Sequence, residues 1–85
     1  NYPNPFNPST NIEFTLPTSS VVTLEVFNIM GQKVRTLVNE PLGAGVHQVV
    51  WDGNGNDGQR VASGVYFYRI QADQFASTKK MLLLK

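Results

Sequence analysis

Hydrophobic and polar residues alternate with a period of two along most of the chain, which is the pattern of half-buried β-strands. In the first such run, Ile12, Phe14 and Leu16 alternate with polar residues, and in the second Val22 and Leu24 begin an apolar face. No stretch has the period expected of a helix. The pattern predicts seven strands, at about residues 11–16, 21–29, 33–38, 46–51, 60–62, 65–72 and 75–84.

Polar turn residues separate these strands at a spacing of roughly 8 to 12 residues, which is typical of an antiparallel immunoglobulin-like β-sandwich. The chain has no cysteine, so the sandwich has no disulfide. Residues 46–51 are apolar on both faces, and we therefore predict a central strand there. The predicted core consists of Phe14, Leu24, Val26, Val49, Trp51, Tyr66, Tyr68, Ile70, Met81 and Leu83.

The 85 residues are enough for one domain. Residues 1–10 place three prolines among asparagines, and proline biases the residue before it toward extended geometry. We therefore predict a stiff linker at 1–10 that docks on the sandwich formed by residues 11–85.

Seven basic and six acidic residues leave a formal charge of +1. The basic residues are spread too thinly for a nucleic-acid patch. The longest apolar run near either end, residues 81–84, is far shorter than the roughly 20 residues that cross a bilayer. We expect no nucleic acid, no transmembrane segment and a monomer.

Residues with catalytic chemistry are scarce. His47 is the only histidine, and Ser63 lacks the glycine pattern of a nucleophile elbow. The acidic residues lie on separate predicted strands and loops. The sequence predicts a protein that is not an enzyme.

Residues 52–58 form a loop rich in glycine, asparagine and aspartate. Its alternating oxygen-bearing side chains resemble the start of a calcium loop, but an EF-hand requires glycine at position 57 and glutamate at position 63. We favour a hairpin loop with Asx turns and expect no cofactor. A calcium ion held by the side chains of the loop stays open as the alternative, with the candidate ligands Asp52, Asn54, Asn56 and Asp57.

Five short motifs, in order, carry a family resemblance: residues 1–10, 28–34, 47–53, 61–66 and 79–81. Together they resemble the type A C-terminal sorting domain of the type IX (Por) secretion system. The nearest related family is the immunoglobulin-like domain of flagellar hook-capping proteins, which the stretch 51–68 also resembles.

The resemblance implies a non-catalytic secretion signal for a cargo fused at its N-terminus. The type IX translocon and a sortase-like peptidase are the implied partners, and the implied location is secreted or at the cell surface, by way of the periplasm. The signal-bearing residues implied are Gly64, Val65, Tyr66, Lys79, Lys80, Met81, Leu83 and Lys85.

Two interpretations of these residues remain open. In the first, a receptor pairs its backbone with the final strand by β-augmentation, and the lysines of the strand attract an acidic face of the receptor. In the second, the apolar residues of the strand only hold the sandwich together. The rival function is an accessory spacer or glycan-binding module of a secreted enzyme, in which Trp51, Tyr66, Phe67 and Tyr68 present a sugar-stacking surface.

Overall fold

A computed structural model describes residues 9–73 and 75–83, and these residues form an all-β, immunoglobulin-like sandwich. The predicted fold class is thus confirmed, with six strands rather than seven. The predicted linker lies almost wholly outside the described residues. The strands are β1 (Thr10–Leu16), β2 (Ser20–Asn28), β3 (Lys33–Leu42), β4 (Gly45–Trp51), β5 (Gly64–Ala72) and β6 (Phe75–Leu83).

The strands form two antiparallel sheets. One is a four-stranded sheet in the order β3-β2-β5-β6, and the other pairs β1 with β4. The predicted strand at 60–62 does not form: Arg60 and Asn54 make an isolated β-bridge rather than part of a ladder, and the Val61 amide donates to the Gly53 carbonyl. These residues therefore close the loop that follows β4.

The core lies between the two sheets, and alternation selects its members. Val22, Leu24 and Val26 of β2 are fully buried, whereas the residues between them are at least partly exposed. No polar or charged side chain is buried among the described residues. The rest of the buried core is Ile12, Leu16, Trp51, Tyr66, Ile70, Ala72, Met81 and Leu83.

Strand β3 departs from simple alternation because it contains two irregularities opposite β2. Leu24 pairs with Val38 but Glu25 pairs with Thr36, which leaves Leu37 as an extra residue. Val34 is an extra residue in the same way. A β-bulge of this kind changes the face on which a side chain lies, and both residues pack against the core.

Strand β4 is not the central strand that its apolar residues predicted. Among the described strands it pairs with β1 alone, and Val46 and Val50 are 63% and 60% exposed. The prediction was wrong because apolar residues on both faces of a strand do not show which strands lie beside it.

The turn between β5 and β6 offers a direct test of backbone strain. Ala72 pairs with Phe75 across a two-residue turn, and Asp73 has a φ of 53°, in the left-handed region that most residues avoid. We expect Asp73→Gly to stabilise the domain by up to about 1 kcal/mol, because glycine has no Cβ to strain there. Urea denaturation measures the change. Asp73→Ala removes the same carboxylate but keeps the Cβ, and a gain in stability for this control would contradict the strain argument.

Candidate functional surfaces

The first predicted signal segment, residues 64–66, is built into the sandwich. Gly64 has a φ of 152°, which side-chain-bearing residues rarely adopt, although a Cβ there would meet nothing within 4 Å. Glycine is therefore needed here for its backbone conformation. Val65 lies on the outer face of the four-stranded sheet, and Tyr66 lies in the core.

Tyr66 connects three parts of the molecule. Its ring meets Trp51 edge-on, with ring centroids 5.2 Å apart and an interplanar angle of 69°. Its hydroxyl donates a 2.6 Å hydrogen bond to the carbonyl of Ala62, four residues upstream, as in the tyrosine corner of immunoglobulin-like sandwiches. The position of Tyr66 is accounted for by packing and by this hydrogen bond.

We expect Tyr66→Phe to lower the free energy of unfolding by about 1 kcal/mol, because the part-buried Ala62 carbonyl loses its donor. Chemical denaturation monitored by Trp51 fluorescence measures the loss. Tyr68→Phe is the matched control, since no hydrogen bond of the Tyr68 hydroxyl is found among the described residues. Equal losses in the two variants would contradict the role assigned to the Tyr66 hydroxyl.

The second predicted signal segment, in β6, is divided between the two faces of the strand. Lys79 pairs with Tyr68 on the side toward β1, where the two residues and Phe14 line a groove of about 270 Å³. Lys80 pairs with Phe67 on the outer face. The two lysines therefore do not form one basic patch, and Lys85 lies outside the described residues.

The remaining predicted residues of β6 are apolar and buried. Met81 and Leu83 belong to the core, whereas Leu82 between them lies on the outer face and is exposed. The recognition roles of Met81 and Leu83 stay predictions, whereas both side chains visibly pack in the core.

Three of the predicted core residues are only partly buried. Phe14, Val49 and Tyr68 pack against the core from its margin.

The loop after β4 is held by its own polar groups. The carbonyl of Asn54 accepts hydrogen bonds from Trp51 Nε1 at 2.9 Å and from Arg35 Nη1 at 3.1 Å. Asp52 Oδ1 accepts from the Asn54 amide at 3.0 Å, an Asx turn, and forms an ion pair with Arg35 at 3.3 Å. The loop thereby closes one end of the core over Trp51.

The four candidate calcium ligands already have partners in the protein. Asn56 Oδ1 accepts from the Thr36 amide at 3.0 Å, and Asp57 Oδ1 accepts from the Gln59 amide at 2.9 Å. Asn54 Oδ1 accepts from Arg60 at 3.1 Å. Across residues 9–73 and 75–83, no three acidic, histidine or cysteine side chains converge as metal ligands would. The hairpin-loop interpretation accounts for these oxygens, and calcium binding stays an untested prediction.

We expect Asp52→Ala to destabilise the domain by about 1 kcal/mol, mainly through the hydrogen bond to the Asn54 amide, since exposed ion pairs contribute little. Asp52→Asn keeps an oxygen for that amide and should cost less than half as much. Thermal unfolding compares the two variants. An equal loss in both would assign the effect to the ion pair instead.

The only histidine has a structural environment. His47 stacks on Phe14 with ring centroids 5.4 Å apart, and its Nε2 lies 2.7 Å from the Gly43 carbonyl oxygen. That oxygen can only accept, so Nε2 carries the proton.

Of the aromatic residues considered for sugar stacking, Trp51 and Tyr66 are buried and cannot form a stacking platform.

One surface was not identified from the sequence. The side chain of Asn28 accepts hydrogen bonds from the amides of Met30 and Gln32, at 2.9 and 3.0 Å, and orders the turn between β2 and β3. The turn exposes Ile29 and Met30, which are 71% and 78% accessible. The available signal was two consecutive large apolar residues directly before a turn glycine, Gly31.

The described residues thus form an immunoglobulin-like module of two packed sheets. A family model described as the FlgD Ig-like domain matches residues 6–75. The chain therefore belongs to the FlgD Ig-like domain family. No curated protein matches its sequence.

The solved structures that share the fold include two FlgD chains. FlgD from P. aeruginosa has a TM-score of 0.70 and 24% identity, over 88% of this chain and 59% of that one. FlgD from Xanthomonas campestris has a TM-score of 0.70 and 23% identity, over 91% of this chain and 56% of that one. The structure of that protein is described as giving insights into the hook capping that is essential for flagellar assembly. The chain spans less than three-fifths of either FlgD chain.

These matches correct the functional prediction. The family is the one named above as nearest to the type IX sorting domain, and the sorting domain itself finds no support. The prediction of a type IX secretion signal is wrong, and with it the translocon and sortase-like peptidase as partners. The alternative of an accessory glycan-binding or spacer module is not better supported. Within the described part of the chain, no helix is long and apolar enough to span a membrane.

Proposed function

We propose that the chain is a non-catalytic structural module of a flagellar hook-capping protein and that it acts as a scaffold in flagellar assembly. The observation that carries this proposal is the FlgD Ig-like match, which extends over residues 6–75. The shared fold of the two FlgD structures supports it.

The use of the polar side chains agrees with a scaffold. Arg35 and Asp52 tie the loop after β4 to β3, Asn28 orders the β2–β3 turn, and His47 packs on Phe14. Each of these groups supports the shape of the sandwich. A scaffold requires a fixed shape and contact surfaces, and it does not require reactive groups.

The test is an in-frame deletion of residues 9–83 from the protein in its native bacterium. We expect hooks and flagella to be lost or greatly reduced in electron micrographs, because the module takes part in their assembly. Trp51→Ala in the intact protein should act like the deletion, since it removes the largest fully buried side chain. Val46→Ala, at an exposed position, is the matched control and should assemble normally.

Normal flagella in the deletion strain, with the rest of the protein still present on immunoblots, would contradict the proposal. A secreted or cell-surface location also stays a proposal. Protease added to intact cells of the parent strain tests the surface location, because a protein exposed on the cell surface is digested and one enclosed by the cell envelope is spared.

A further inference from the structure

The outer face of the four-stranded sheet carries a connected group of apolar side chains at the end near the β2–β3 turn. Phe27 pairs directly with Phe67 across the two central strands, and Val65 pairs with Leu82 in the adjacent row. We name this group the outer-face patch. It consists of Phe27, Ile29, Val65, Phe67 and Leu82, together with Met30, which is exposed in the adjoining turn.

The patch is exposed and ordered at the same time. Leu82, Ile29 and Met30 are each more than half exposed, which is uncommon for large apolar side chains grouped on one surface. The turn that carries two of them is tied down by Asn28, which also bonds Gln32 through its side-chain amide at 2.9 Å. Preorganisation of this kind reduces the entropy lost when a partner binds.

A depression of about 290 Å³ opens within the patch, between Phe27, Ile29 and Phe67, with Arg69 and Thr78 on its border. Interfaces between proteins commonly place an anchoring apolar side chain in a depression of this kind, surrounded by polar groups. The depression gives the patch a shape that an apolar side chain of a partner can enter.

The charges around the patch are unequal. Lys33 flanks Phe27, Lys80 flanks Phe67, and Arg69 lies one row farther along β5, directly opposite Glu25. On this part of the described sheet face, three cations therefore accompany one carboxylate, that of Glu25. Glu25 is bound to Lys33 at 3.3 Å. Among the described residues no ion pair links Arg69 or Lys80 to an acidic side chain.

The excess of cations around the patch indicates which kind of molecule is best suited to bind there. Residues 1–8 contain no acidic side chain, so this segment does not supply the missing negative charge. A second copy placed face to face would bring like charges together, which is unfavourable. An acidic partner complements both the cations and the apolar centre.

We propose that the outer-face patch docks a partner protein segment that has acidic side chains around an apolar anchor. The inference does not depend on the flagellar function. Lys80 and Leu82 lie beyond residue 75, where the family match ends, so the patch includes a part of the surface that the match does not cover.

The test uses the 85-residue chain and two synthetic peptides. One peptide alternates glutamate with leucine and phenylalanine, and the other has lysine in place of every glutamate. We expect the glutamate peptide to bind and to shift the amide NMR resonances of Phe27, Phe67 and Lys80, and the lysine peptide not to bind. Raising the salt concentration should weaken binding, because the rim charges are exposed to solvent.

Adjacent positions in β6 provide a matched pair of variants. Lys80→Glu reverses a charge beside the patch and should weaken binding at least about tenfold, whereas Lys79→Glu makes the same change on the opposite face and should leave it unchanged. Met30→Ser should also weaken binding, and Val46→Ser, an exposed position on the other sheet, should not. Circular dichroism checks that each variant is folded.

Several outcomes would overturn the proposal. The first is an equal loss of peptide affinity in Lys79→Glu and Lys80→Glu. The second is a set of peptide-induced changes in amide resonances that is confined to another surface. The third is a larger change in the patch resonances with single-stranded oligothymidylate than with the glutamate peptide. Shifts of the patch on deletion of residues 1–8, without peptide, would identify the chain's own segment as the occupant. A dimer in sedimentation equilibrium that Met30→Ser dissociates would identify a second copy.

Discussion

The contact between Trp51 and Tyr66 joins the two sheets, and the rest of the structure depends on it. Within residues 9–73 and 75–83, β1 and β4 pair only with each other, so side-chain packing in the core holds them against the four-stranded sheet. Trp51 is the largest fully buried side chain, and its indole N–H also anchors the loop at Asn54. One residue therefore connects the core, the second sheet and the loop that closes it.

The alternation that builds the core also divides the functions of β6. Met81 and Leu83 face the core, while Lys80 and Leu82 face outward, so neighbouring residues in the same strand have different physical roles. Loss of function caused by changes at the inward positions would reflect loss of folding. Changes at the outward positions report on surfaces, because charged groups exposed to solvent contribute little to stability.

Family membership and surface chemistry answer different questions about this chain. A shared immunoglobulin-like fold defines the scaffold, and function resides in the side chains placed upon it. Five short motifs resemble those of the type IX sorting domain, yet much of what they contain is structural: Gly64 for a positive φ, Tyr66 for the core and Asn28 for a turn. Residues that a sandwich needs for its own stability are weak guides to its specific role.

Local pattern indicated where the six observed strands lie, because side-chain direction in a strand has a period of two and requires no knowledge of the partner, although it also predicted a strand at 60–62 that does not form. The buried side of β2 was predicted in this way. Tertiary structure decided what depends on residues distant in the sequence. It separated β4 into a two-stranded sheet, placed the extra residues of β3 on the core, and brought Phe27, Phe67 and Lys80 from three strands into one outer surface. Strand pairing joins segments far apart along the chain, and so the alternation within each segment could not specify it.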